Sequence, residues 1–120
     1  MTNDQKPKKY DLEDRTIKFS KQVIDLVNNL PKNNVNREFI SQVVRSSSSI
    51  GANYREANEA LGKKDFYMRV RISRKEAKET QYWLELILHN NSNLGSTINP
   101  LINESIELLK ILSAIISKSS

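Results

Sequence analysis

Three groups of residues in this sequence have types and spacings that could do chemistry. The first is the run Ser46 to Ser49, which supplies hydroxyls. A serine nucleophile needs a base and an orienting acid within hydrogen-bond reach, and the one histidine, His89, stands a long helix away. The second is Glu85 with His89. Carboxylate-bridged di-iron bundles use Glu-x-x-His pairs in two inward-facing copies, whereas this pair is four apart and has no second copy. A helical-bundle ribonuclease would place an arginine a turn or two before the histidine; the nearest here is Arg74. There is no Gly-rich phosphate loop, and cysteine is absent, which removes thiolate chemistry and cysteine-ligated metals. The reading is no enzyme, no cofactor and no metal.

The third group is cationic. Between Lys63 and Lys78, seven basic residues (Lys63, Lys64, Arg69, Arg71, Arg74, Lys75, Lys78) stand against Asp65 and Glu76, so this window holds the whole formal excess of +5. At about 100° per residue, Lys64, Arg71, Arg74, Lys75 and Lys78 fall within an arc of about 100° opposite the apolar seam of their helix. Such an arc is a solvated face in most helical proteins. Here it holds no compensating carboxylate, which favours contact with a polyanion. Phosphate neutralisation needs only clustered cations, whereas base reading needs particular side chains in a groove. The sequence offers no recognition helix and no aromatic stacking platform, so binding to RNA or DNA is expected to be led by charge and shape. The alternative is a protein–protein scaffold whose basic face docks an acidic partner.

The elements that must hold these residues are helices. Ile40, Val43, Ser47, Ile50, Tyr54, Ala57 and Leu61 recur at +3 and +4, so one helical face persists straight through the serines and Gly51. The rhythm restarts at Phe66, Val70, Ser73, Ala77, Thr80, Leu84 and Ile87. Two long helices joined by a tight turn are expected, with Gly62 in the left-handed conformation and Asp65 capping helix three, which runs from Phe66 to about His89. The inner face formed by Ser46 to Ser49, Gly51 and Ala52 lacks bulk and reads as a packing notch. Helix one is placed from an Asp11 cap through Leu12, Thr16, Phe19, Val23, Leu26 and Leu30 to Pro31. Asn33 or Asn34 is expected to cap helix two. Asn99-Pro100 is expected to open helix four, which carries Ile102, Ser105, Leu109, Leu112 and Ile116. Four helices with short connections predict an all-α fold, an antiparallel up-down-up-down four-helix bundle over residues 11–117. Residues 1–10 read as a disordered arm and 118–120 as a tail.

If the hairpin turns near Gly62-Lys63, facing residues have numbers summing to about 125. Glu56 should then approach Arg69, and Arg45 should approach Glu79. Arg45, Asn53, Arg55 and Glu56 are therefore expected to lock the register against helix three; the plainer reading is exposed pairs worth under ~1 kcal/mol each. Outside the seam, Met68, Ile72, Trp83 and Leu86 form an apolar flank on helix three, and Ile17, Ile24 and Val27 a similar set on helix one. A wide core could absorb them, but aromatic residues are favoured at interfaces, and self-association is expected. No apolar run approaches the ~18 residues of a membrane span and no signal-peptide core opens the chain; with no cysteine, a soluble cytoplasmic protein is expected.

The motifs now in view resemble a known family. Arg45-Ser46, Ser49-Ile50-Gly51-Ala52-Asn53-Tyr54-Arg55-Glu56-Ala57, Asp65-Phe66, Ile72-Ser73-Arg74-Lys75-Glu76-Ala77-Lys78-Glu79-Thr80 and Tyr82-Trp83-Leu84-Glu85-Leu86 resemble the bacterial four-helix-bundle proteins encoded in intervening sequences of 23S ribosomal RNA genes. The similarity extends from about Tyr10 to Ile116. It implies a four-helix protomer that assembles into a ring-like homopentamer with no established enzymatic activity. The chain is also similar to the accessory variability proteins of diversity-generating retroelements, basic pentamers that bind nucleic acid and a reverse transcriptase. It departs from the family at Ser46 to Ser48, where a glycine and a threonine are expected among the serines.

Overall fold

The computed structural model describes residues 8–119. Its elements are α1 (Lys8–Asn28), α2 (Asn34–Asn58), α3 (Lys63–Asn90), a 3-10 turn (Ser92–Leu94) and α4 (Gly95–Ile116). Successive helices pack side by side and α4 closes back on α1, so the four form an antiparallel bundle in cyclic order. The expected seams account for most of its core. Leu12, Thr16, Phe19, Val23 and Leu26 from α1 are all buried, as are Leu30 just past its end, Val43, Ser47, Ile50, Tyr54 and Ala57 from α2 and Val70 to Ile87 at seam spacing from α3. Burial of a side chain such as Leu84 or Ile87, each fully enclosed, contributes about 1.5–3 kcal/mol.

The serine stretch is continuous helix in the middle of α2. Its small residues serve two neighbours at once. Towards α1, Ser20 Oγ donates to the Ser47 carbonyl at 3.0 Å, and a Cβ built on Gly51 would lie 2.8 Å from Thr16 Oγ1. Towards α3, Thr80 Oγ1 donates to Ser46 Oγ at 2.8 Å and Ser73 Oγ to the Ile50 carbonyl at 2.7 Å. The notch is narrower than the sequence suggested: Ser46, Ser47 and Gly51 are buried, but Ser48 and Ala52 are exposed and Ser49 is half-buried.

Several helix ends differ from expectation. α1 already includes Lys8 to Tyr10, so Asp11 lies in its first turn instead of capping it; the rest of the expected arm, residues 1–7, and Ser120 lie outside the described residues. Asn33 caps α2, its side chain accepting from the Asn36 amide at 2.8 Å. α2 stops at Asn58, which leaves Leu61 fully exposed and off the seam. Gly62 is extended (φ −150°, ψ 170°) and stands at the N-cap of α3, with no side-chain cap, while Asp65 falls in the first turn where the helix dipole favours an acid. α4 begins at Gly95, so Pro100 lies inside the helix, beyond the amides that lack partners anyway. The α4 seam uses Ile98, Leu101 and Leu108 as well, with Leu109 only half-buried.

One buried polar knot was invisible in the periodicity. Asn36 is fully buried, donating to the Pro31 carbonyl at 2.9 Å and to Asn91 Oδ1 at 3.1 Å, and accepting at Oδ1 from Asn91 at 2.9 Å and Asn90 at 3.0 Å. It ties the α1–α2 connection to the end of α3, and pairing every polar group is what makes its burial tolerable.

Two substitutions test these local geometries. Gly51→Ala gains up to ~1 kcal/mol of helix propensity but overpacks a contact that costs about 1–3 kcal/mol, so a net loss in the denaturation midpoint is expected, partly recovered when Thr16→Ala removes the blocking hydroxyl. Gly62→Asp meets open space at an N-cap geometry any residue adopts, and should raise stability by about 0.5 kcal/mol. A loss there would indicate the left-handed turn that the sequence suggested.

Candidate functional site

α3 is held in place by its contacts with α2, and these decide which of its faces remains outside. Glu76 is buried to 7% exposure. A carboxylate that far from water needs a cation, and Arg45 Nη1 supplies it at 3.2 Å while Nη2 reaches Glu79 at 3.0 Å. Those contacts, the hydrogen bond to Glu79 first, push the Arg45 guanidinium pKa above its ordinary value. The Arg45–Glu79 approach follows the register expected from the sequence. Arg69 departs from it: Nη1 donates to Asn53 Oδ1 at 3.2 Å, not to Glu56. Arg55 turns to the other neighbour, its Nε 3.9 Å from Glu13 on α1, where Asn58 also donates at 2.7 Å. Glu56 is exposed, and its side chain has no hydrogen-bonded or ionic partner among the described residues. Register along α2 and α3 is thus kept by Arg45, Asn53 and Arg69, while Arg55 ties α2 to α1. The α1–α4 side is bridged by Arg15, which meets Glu104 through two hydrogen bonds of 2.6 and 2.9 Å.

With that register, all five cations of the predicted arc (Lys64, Arg71, Arg74, Lys75, Lys78) are exposed along α3. Lys64, Arg74 and Lys78 have no ionic or hydrogen-bonded partner among the described residues. Arg71 Nη2 donates to Ser119 Oγ at 3.2 Å just past α4, a contact between exposed groups. The expectation that no carboxylate compensates the arc needs amending: Glu79 lies 3.9 Å from Lys75. Glu79 is shared with Arg45, so its charge is divided between two cations.

The arc also carries an aromatic ring that the sequence reading passed over. Tyr82 is 57% exposed and, with Lys75, Lys78, Glu79 and Trp83, lines a shallow depression of about 490 Å³. The signal was present: Arg71, Lys75, Lys78 and Tyr82 repeat the +4, +3, +4 spacing of the core seam on the opposite face.

The apolar flank separates into two kinds of residue. Trp83 packs against the core and against Phe39, with ring centroids 6.2 Å apart; Ile72 and Leu86 are half-buried, and Met68 is 46% exposed. On α1, Ile17 and Ile24 are 42% and 43% exposed, whereas Val27 packs against the core.

The serines that suggested catalysis are engaged structurally. Ser46 to Ser49 each donate to a backbone carbonyl three or four residues earlier, the usual bond of a serine inside a helix. His89 is exposed in the last turn of α3. Among the described residues, no three His, Cys, Asp or Glu side chains come together as metal ligands would, and no helix is long and apolar enough to cross a membrane.

Comparison with known proteins covers nearly the whole bundle. A family model described as 23S rRNA-intervening sequence protein matches residues 8–114. The crystal structure of a protein with unknown function from the S23 ribosomal protein family of Bacteroides thetaiotaomicron VPI-5482 superposes with a TM-score of 0.78. It is 36% identical, and the match covers 87% of this chain and 96% of that one. No protein with a curated description matches. The helical hairpin of α2 and α3, with the serine notch and the cationic arc, lies wholly inside the matched region, and the chain belongs to the 23S rRNA-intervening sequence protein family.

Proposed function

We propose that the protein is a non-catalytic, cytoplasmic homo-oligomer that binds nucleic acid through the outer face of α3. The observation that carries this reading is the row of exposed cations. Five Lys and Arg side chains occupy one arc of a helix whose opposite face is fixed in the core, and Lys64, Arg74 and Lys78 lack a carboxylate partner among the described residues. Clustered cations on a rigid element neutralise phosphates without reading bases, because binding is driven by release of the counterions condensed on the polyanion. RNA is the expected ligand. Self-association, as a pentamer by resemblance, rests on a separate observation: Met68 and half-buried Ile72 and Leu86 leave apolar surface on the flank of α3 that also carries Trp83.

Salt dependence tests the first part. Five phosphate contacts to a single strand imply a slope near −3.5 in log K against log salt, a loss of roughly 100-fold between about 50 and 200 mM. Arg71→Glu with Lys75→Glu should abolish most of the affinity and flatten the slope that remains, measured by anisotropy with mixed-sequence RNA and DNA. Undetectable binding at ~50 mM salt would overturn this reading and favour an acidic protein as the partner.

The second part is read by sedimentation equilibrium. The wild type should sediment as a multiple of 13.8 kDa, and Met68→Glu with Ile72→Glu should shift it towards one chain with its helical circular dichroism kept. A wild type of single-chain mass across micromolar concentrations would rule out the oligomer.

A further inference from the structure

Tyr82 is an exposed ring set among cations, and the residues beneath it hold it there. It stands edge-to-face on Trp83, with centroids 5.1 Å apart and an interplanar angle of 72°. Trp83 in turn rests on Phe39 and the core. The ring is therefore supported from the protein side while more than half of the residue faces solvent. Supported rings make good stacking partners because little freedom remains to be lost on binding. One helical turn is about 5.4 Å, so Lys75 and Lys78 stand within about two turns of the ring, inside the span of adjoining nucleotides. The depression they share, about 490 Å³, is large enough for a nucleobase. Glu79 on its rim is met by Arg45 at 3.0 Å and lies 3.9 Å from Lys75, so its charge is answered from two sides.

We infer that this row is a site for a single-stranded nucleic acid, with an unpaired base stacked on Tyr82 and the neighbouring phosphates on Lys75, Lys78 and Arg71. The inference rests on the nucleic-acid reading above and narrows it: bases in a duplex stack on each other, whereas an unpaired base offers a free face to an aromatic ring. Stacking tolerates any base, so the site selects strandedness and not sequence.

The test compares three DNA ligands of about 12 nucleotides at low salt: a mixed-sequence single strand, an abasic strand of equal length, and a duplex. Each is titrated into the wild type, Tyr82→Ala and Tyr82→Phe. The single strand should bind the wild type about 10-fold more tightly than the abasic strand. Tyr82→Ala should erase that difference and leave abasic binding unchanged, and Tyr82→Phe should keep it. The sole tryptophan, Trp83, gives a second readout, because its fluorescence should be quenched by the base-bearing strand and not by the abasic one. An unchanged ratio in Tyr82→Ala, or equal affinity for single strand and duplex, would overturn the stacking site and leave the charge-led reading standing. Failure of all three DNA ligands, and of the mixed-sequence RNA used for the salt dependence, to bind the wild type would overturn both.

Discussion

The structure depends on how closely α1 and α3 approach α2 at its small residues. Gly51 lies against Thr16 with no room for a Cβ, and a few residues away Ser46 and the Ile50 carbonyl accept hydroxyls from Thr80 and Ser73 of α3. A bulky side chain at any of these points would push the helices apart. Serine and glycine are poor helix formers, so this stretch of α2 relies on its neighbours for stability. In return it provides polar groups that fix each neighbour's axial position, which uniform apolar packing would leave free to slide.

That fixed position sorts the charges on α3. Glu76 is buried and must be answered from α2, and Arg45 is the residue at the correct height. With Glu76 and Arg69 turned towards α2 and the apolar seam towards the core, the remaining cations are left on the exposed side of α3, where Arg71 meets Ser119 and Lys75 lies near Glu79. The outward arc is thus a consequence of the inward contacts, and a slip of one helical turn between α2 and α3 would strand Glu76 and redistribute the arc. A row of cations on a packed helix has the rigidity that a loop of the same composition would lack. Phosphate binding gains from such rigidity because less ordering is required when the ligand arrives.

Much of this was legible in the sequence. The +3 and +4 rhythm gave the four helices, and it carried α2 through four serines that propensity alone would call a linker. Hairpin geometry located the Arg45–Glu79 contact. What was misread shares a cause: the helix ends are set by backbone closure, and residue type is weak evidence for it. Gly62 was given the left-handed role usual for glycine after a helix, but here it is extended and opens the next one. Asn99-Pro100 has the composition of a helix start, yet the 3-10 turn at Ser92–Leu94 begins the helical path earlier and leaves Pro100 inside. Asn36 and Asn91 were hidden because asparagine reads as loop or cap, and only tertiary structure shows two of them answering one another in the core. Tyr82 is hard to read for a different reason: it keeps the seam's rhythm on the opposite face, where one ring among cations forms no apolar pattern.

In the proposed function, the outward arc of α3 is the part of the surface that meets the polyanion. Lysine acetylation footprinting, read residue by residue by mass spectrometry with and without a saturating mixed-sequence RNA, tests it most directly. Lys64, Lys75 and Lys78 should be protected when RNA is bound, while Lys18, Lys21 and Lys110, exposed on α1 and α4, should react at the same rate in both samples. Protection of Lys18, Lys21 and Lys110 with the α3 lysines left reactive would contradict the account.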